Sequence, residues 1–390
     1  MSHAFPYRGL RVLDLGQGVA SPYCAMLLAQ YGAEIIKVEP PEGDWSRGLG
    51  AKLANGTQTP MSLTFNRGKR ALQLDLKRPE AKAILRALAL KADILVEGFR
   101  PGVAARLGVS YESLAAENPK LIYLSISGFG QTGPNAQRPV TDTAAQAFSG
   151  FMDTNRGPDN TPHRSGALTA DVPTGLYAYA AVATALFARQ QTGTGRHIDV
   201  SLMAGSAALL AHKLPEFEVG GRNPPQLNVP AGSFEAADGW LAIALVREDD
   251  WRRMCAALER PDLLDDPRFA SFATRAEHET ALQAQLRPHI RTRPRAAWLD
   301  RLRDLDVISD RVNTLGDWVA NEHVRAIAAA IPTGVENLHI ARTPGAPLES
   351  DAALTPAPAA GQHSREVLAE CGFSPAEIEK LIDDGIVGIT

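Results

Sequence analysis

From Leu10 to Gly128 the chain alternates short apolar runs with helix-patterned stretches, and that alternation leaves few folds open. Leu10-Arg11-Val12-Leu13-Asp14-Leu15 is a mostly apolar run that ends at Gly16. Residues 22–31 then carry the apolar spacing of a helix, with Pro22 suited to its first turn. Residues 33–39 have a β-branched centre and stop at Pro40-Pro41. Residues 71–76, 79–91 and 94–96 repeat the strand–helix–strand order, and 121–127 read as a further strand. Strands separated by helices of this length pair in parallel, so the spacing predicts an α/β domain around a mostly parallel sheet. Residues 171–190 read as a helix rich in Ala, Tyr and Leu. Thr192-Gly193-Thr194-Gly195 stops it, and 197–201 return as a strand. A second Ala- and Leu-rich helix is predicted over 203–212.

A chain of 390 residues exceeds the usual size of one domain. The pattern breaks at 220–230, where Pro, Asn and Gly crowd together as in a linker or active-site loop. Beyond it, 240–246 read as a strand and 249–303 as mostly helical and highly charged, which marks a second domain. Pro356-Ala357-Pro358 shifts composition again, and Ser374 with Glu377 fits a capping box at a closing helix. The net charge of -4 argues against broad binding to nucleic acid or membrane surfaces. Cys24, Cys255 and Cys371 lie far apart without metal spacing, which suits a reducing compartment and predicts neither disulfides nor a zinc site. Residues 1–8 hold no apolar signal core, and no apolar run nears the roughly 20 residues that span a bilayer. A soluble, cytoplasmic protein is expected.

Several residues invite chemistry. Gly16-Gln17-Gly18-Val19-Ala20-Ser21 after the first strand imitates a dinucleotide fingerprint, with Glu39 near the ribose-binding position. Ser21 replaces the third glycine, so the loop reads better as a tight turn facing a ligand than as an NAD site. Arg67, Lys69, Arg70 and Lys77 flank one strand, while Arg100 and Arg106 follow another; together they offer phosphate contacts. Asp171 stands where a helix N-cap belongs, and Pro173 fits the first turn. A carboxylate there is also held ionised by the helix dipole, as a nucleophile requires. Asp142 reads as a turn residue, and His163 and His197 lack partners at metal or triad spacing.

These pieces also occur in a recognisable order. Leu10 to Leu15, the stretch 32–40, Asn66-Arg67-Gly68-Lys69-Arg70, Phe99-Arg100-Pro101-Gly102, the stretch 127–134, Asp142 and Gln146 lead to Asp171 and Gly175. Thr192 to Arg196, Asp199 to Leu202, Asp238-Gly239, Val312-Asn313-Thr314 and Gly361-Gln362-His363 follow. In this the chain resembles the class III CoA transferases, the group that includes formyl-CoA transferase, carnitine CoA transferase and the α-methylacyl-CoA racemases.

The resemblance implies a discontinuous Rossmann-like large domain (residues 1–220 with the return segment 326–390), a linker at 221–231 and a smaller α+β domain at 232–325. It implies an interlocked homodimer and, as substrates, an acyl-CoA and a carboxylic acid, with coenzyme A the group transferred and no metal or other cofactor. Asp171 matches the nucleophilic aspartate, which attacks the thioester and comes to carry CoA itself. Leu74, Lys77, Phe99 and Arg106 match positions lining the CoA pocket, and Gly18 and Val19 match the first loop beside the thioester. Backbone N–H groups at the start of the Asp171 helix offer an oxyanion site. The family's racemases carry a histidine just before the aspartate that is Asp142 here; Thr141 in its place ranks racemase below transferase. The formyl-CoA enzyme has glutamine where Val19 stands, and the stretch 220–232 lacks a glycine run, so the acyl groups stay open. An NAD-dependent oxidoreductase and a non-catalytic CoA-binding relative are the alternatives from other classes.

Overall fold

Six parallel strands form the centre of the computed structural model, which describes residues 5–54, 56–157, 159–221, 228–335, 337–347 and 355–390. They are β1 (Arg11–Asp14), β2 (Glu34–Glu39), β3 (Arg70–Leu74), β4 (Ile94–Glu97), β5 (Ile122–Ser127) and β6 (Arg196–Ser201). Their order across the sheet is β3-β2-β1-β4-β5-β6, the doubly wound order of a Rossmann fold. The central strands read as continuous apolar runs because both faces are covered. Leu13, Leu72, Leu95 and Tyr123 point to one face, where they meet Ile84, Leu85 and Leu88 of the Pro79–Leu90 helix. Val12, Ile35, Ile94 and Leu124 point to the other, against Cys24 and Leu28 of the Ala20–Gln30 helix and Val182 and Ala185 of the Asp171–Thr192 helix. Each such fully buried leucine or valine contributes about 1.5–3 kcal/mol.

A return segment completes this unit. The helices Ser364–Glu370 and Pro375–Asp383 add Val367, Leu368 and Ile378 to the first face. Ser374 and Glu377 do form the predicted capping box. The return segment also carries the hairpin β10 (Ala330–Pro332) with β11 (His339–Ala341), and β12 (Val387–Gly388). β12 pairs antiparallel with the outer edge of β3, Val387 opposite Leu74, and Ser364 Oγ donates to the Gly388 carbonyl at 2.6 Å.

The chain divides into two compact units, Met1–Ala211 with Ala328–Thr390, and His212–Ile327. The second has its own three-stranded antiparallel sheet of β7 (Gly232–Ala236), β8 (Gly239–Ile243) and β9 (Ser309–Arg311). Phe234, Leu241, Trp251, Phe269 and Trp298 fill its core. Arg275, fully buried, donates to the Val229 carbonyl at 2.7 Å and to Glu248 at 2.6 Å, with Trp251 and Phe272 against its guanidinium. Of the predicted linker 221–231, residues 222–227 lie outside the described residues. The helix predicted over 203–212 is shorter, Leu202–Ala208, and a separate helix, Lys213–Gly220, follows. Among the described residues no helix is long and apolar enough to cross a membrane.

Candidate active site

In a doubly wound sheet, ligands bind beyond the carboxyl ends of the strands where the order reverses, here between β1 and β4. A cavity of ≈290 Å³ opens at that point. Gln17 and Val19 line it from the loop after β1, Phe99 and Arg100 from the loop after β4, and Asp171 from the start of its helix.

The loop after β1 is held from beneath by buried charges. Asp14 Oδ1 accepts from the Gly16 N–H, and Asp44 Oδ1 accepts from the N–H groups of Gly18 and Ser46, all at 2.9 Å. Lys37 Nζ donates to the Gly16 carbonyl at 2.7 Å and pairs with Asp44 at 2.8 Å, while Lys69 Nζ pairs with Asp14 at 2.8 Å. None of these four side chains is exposed. Burial by itself lowers the pKa of both lysines. Lys37, between Asp14 and Asp44, nevertheless has its pKa raised, whereas Lys69 is pulled down to about 8 despite Asp14. Gly18 has φ +79°, and a Cβ there would come within 2.0 Å of the Trp45 ring, so no other residue fits.

Asp171 is not the cap of its helix. Ala170 is the N-cap residue, Asp171 is the first helical residue, and its carboxylate has no hydrogen-bond or ion-pair partner among the described residues. The cap comes from Asp142, whose Oδ2 accepts from the N–H groups of Ala170 at 2.8 Å and Asp171 at 3.0 Å. Gln146 donates to Asp142 Oδ1 and accepts from the Ser165 N–H, so this buried chain of polar groups is fully occupied. The expectation that the dipole keeps Asp171 ionised is corrected. Burial, and then the negative charge of Asp142, push its pKa up to about 7.

The expected oxyanion donors at this helix start are corrected too. The Asp171 N–H is taken by Asp142, that of Val172 by the Leu168 carbonyl at 3.1 Å, and Pro173 has none. The open donors belong to the helix start packed beside it. The Ala20–Gln30 helix has no side-chain cap, and the N–H groups of Ala20 and Ser21 meet no acceptor among the described residues. Both residues line the cavity beside Asp171.

The other predicted site residues divide. Val19 and Phe99 line this cavity, and Phe99 also lines a neighbouring one of ≈270 Å³ with Lys77, Leu76 and Pro41. Leu74 is fully buried in the core beneath them, and Arg106 stands on the short Val103–Arg106 helix outside both linings. Of the basic run at 67–70, none is available as a phosphate contact. Arg67 is buried and donates to the Thr64 carbonyl, Lys69 pairs with Asp14, and Arg70 pairs with Glu34 and Glu370. Glu39, the ribose-binding candidate of an NAD site, is fully buried and tied to Arg47 at 2.8 Å. Glu97, at the end of β4, was not foreseen. It accepts from the Phe99 N–H at 2.7 Å and so shapes the second loop, and burial raises its pKa to about 7.

Known proteins share this arrangement along nearly the whole chain. The crystal structure of a CAIB/BAIF family protein from Brucella suis matches with a TM-score of 0.84 at 33% identity, covering 94% of this chain and all (100%) of that one. An acetyl-CoA:oxalate CoA-transferase of Acetobacter aceti is 39% identical over 303 residues, 76% of this chain and 77% of its own. A succinate–glutarate CoA-transferase of Agrobacterium fabrum is 34% identical over 384 residues, 94% of this chain and 95% of its own. The model of CoA-transferase family III matches residues 7–364, from before β1 to the first helix of the return segment, and the chain belongs to that family of enzymes.

Proposed function

We propose that the protein moves CoA from an acyl-CoA to a carboxylic acid through a thioester on Asp171. The observation that carries this is a carboxyl group set at the wall of the switch-point cavity and without a hydrogen-bond or ion-pair partner among the described residues, its capping duty taken by Asp142. Asp171, once ionised, attacks the acyl-CoA carbonyl; the C–S bond breaks, leaving a mixed anhydride and CoA thiolate. The thiolate then attacks the aspartyl carbonyl and expels the donor acid, so Asp171 carries CoA. The acceptor carboxylate attacks that thioester and releases the thiolate. Attack of the thiolate on the acceptor's carbonyl forms the new acyl-CoA and frees Asp171. Each step exchanges one activated acyl bond for another, which conserves the thioester energy. The N–H groups of Ala20 and Ser21 are the donors suited to the tetrahedral oxyanions.

Lys77 and Phe99 in the adjoining cavity, with Gly18 and Val19 beside the thioester, form the CoA path in this reading. Arg106 reaches the phosphates from outside the cavity, and Leu74 backs the path from the core. The scheme uses no metal or redox cofactor. Racemase chemistry is disfavoured because Thr141 lines the cavity with a hydroxyl in place of a titratable base. The homodimer belongs to the same proposal, supported by Leu176, Tyr177 and Phe187 on the Asp171–Thr192 helix, which stand 44%, 51% and 63% exposed in the single chain. Prompt subunit exchange between two tagged samples would count against interlocked chains.

The test of the mechanism is to incubate the enzyme with an acyl-CoA and no acceptor, then add hydroxylamine. Mass spectrometry should find the hydroxamate on the peptide that contains Asp171. A hydroxamate on another residue, or none in an enzyme that transfers CoA, refutes the assignment.

A further inference from the structure

Trp45 combines firm anchoring with an open face. It begins a short 3₁₀ turn, Trp45–Gly48, whose cap is the preceding residue, Asp44. Asp44 also holds the Gly18 N–H, and its partner Lys37 holds the Gly16 carbonyl. One buried ion pair therefore fixes the backbone on both sides of the indole. The ring rests on Gly18 so closely that only a hydrogen fits between them. Even so, Trp45 is 53% exposed, has no aromatic partner among the described residues, and lines the same cavity as Asp171, Gln17 and Val19. An aromatic side chain hides 150–250 Å² when covered, so an indole held still with its face open is a surface waiting for a ligand.

We propose that Trp45 is a specificity-determining wall of the acid subsite, its open face receiving the carbon chain of the acid whose carboxyl meets Asp171. This rests on the reading of Asp171 as the nucleophile. The cavity of ≈290 Å³ holds about ten water-sized groups at roughly 30 Å³ each. The thioester end of CoA takes part of that space, so the room left beside Trp45 suits a short-chain carboxylic acid. Arg100 and Arg138, both on the lining and without carboxylate partners among the described residues, add positive charge that favours anionic substrates.

The experiment measures kcat/KM for a series of straight-chain acids of two to eight carbons, in wild type, Trp45→Ala and Trp45→Phe, with one acyl-CoA donor. One methylene in a tight pocket is worth about 10–200-fold. The ratio of eight-carbon to four-carbon acid should therefore rise at least about tenfold in Trp45→Ala, with Trp45→Phe between. An unchanged ratio overturns the inference, whether the loss appears in donor KM, in dimer mass or nowhere. Failure of both variants to fold overturns it too, since the indole would then be structural. Hydroxylamine trapping on the same samples separates the two ideas. An Asp171 hydroxamate with an unchanged acid profile removes only the Trp45 wall, while no hydroxamate in the wild type removes the reading of Asp171.

Discussion

Two helix starts line the cavity as packed neighbours, and they are finished in opposite ways. At the Asp171–Thr192 helix every N–H of the first turn that exists is occupied, and the strongest acceptor is an ionisable side chain, Asp142. At the Ala20–Gln30 helix there is no side-chain cap, no acidic residue in the first turn and two N–H groups without acceptors among the described residues. A helix start carries about half a positive charge. The first start is already met by Asp142, and burial, then the negative charge of Asp142, push the pKa of Asp171 up to about 7. The second keeps its charge for whatever enters the cavity. In the proposed scheme the first start presents the carboxyl and the second receives the developing negative charge.

The comparison can be broken most severely at Asp171. Asp171→Asn should lower CoA transfer at least about a thousandfold, roughly 4 kcal/mol, in a protein with an unchanged circular-dichroism spectrum. Retained transfer would mean that the presented carboxyl is idle. Next in size is Asp142→Ala, which strips the acceptor from the N–H groups of Ala170 and Asp171 and from Gln146. Each buried donor left unsatisfied costs about 1–3 kcal/mol, so urea unfolding should show a loss of at least that size. The same variant removes the like charge, so the rising limb of kcat/KM against pH, expected near 7 for ionisation of Asp171, should move to lower pH.

A smaller effect sharpens the electrostatic half of the contrast. The folded-state pKa of Asp171 lies above its unfolded value near 3.8. Well below pH 3.8 both states are protonated and nothing is lost; as pH rises the unfolded chain ionises first, so this group erodes stability up to about pH 7 and no further. Asp171→Asn lacks the penalty, and its advantage in Tm over wild type should grow between pH 4 and 7 and then level off. A constant difference across that range would deny the raised pKa. The smallest expected effect is between variants. If Asp171 were the cap, Ala would be about 1 kcal/mol worse than Asn; with Asp142 as the cap, the two should unfold within about 0.5 kcal/mol of each other.

Much of the scaffold could be read from the sequence. β1, β3, β4 and β5 are buried on both faces and mostly apolar, so each announces itself as a short run, while β6 is marked instead by the Thr192–Gly195 stop before it. β12 escaped because two residues carry no periodicity; Val387 and Gly388 are a strand only because β3 offers an edge. At the site, Asp171 was visible and its role as a cap was the reasonable local inference. The true cap, Asp142, is supplied from the Asp142–Phe148 helix, and no local spacing announces a partner so far away in sequence. The basic run at 67–70 misled for a similar reason. Sequence shows charge but not which side of the sheet it enters, and Lys69 turns inward to Asp14, which lies 55 positions earlier. Trp45 gave no signal at all, since an aromatic residue in a loop is ordinarily core, and its importance lies in the glycine beneath it.

The pairing of β12 with β3 also bears on how the protein is made. β3 ends at Leu74, and its partner Val387 leaves the ribosome about three hundred residues later. At about 5–20 residues per second, that edge of the nascent sheet stands unpaired for roughly 15–60 seconds. An open strand edge is a template for pairing with other chains. On a crowded polysome, neighbouring copies expose the same edge together, so the last strand acts as the seal that ends the hazard, and chaperone demand should peak just before it emerges.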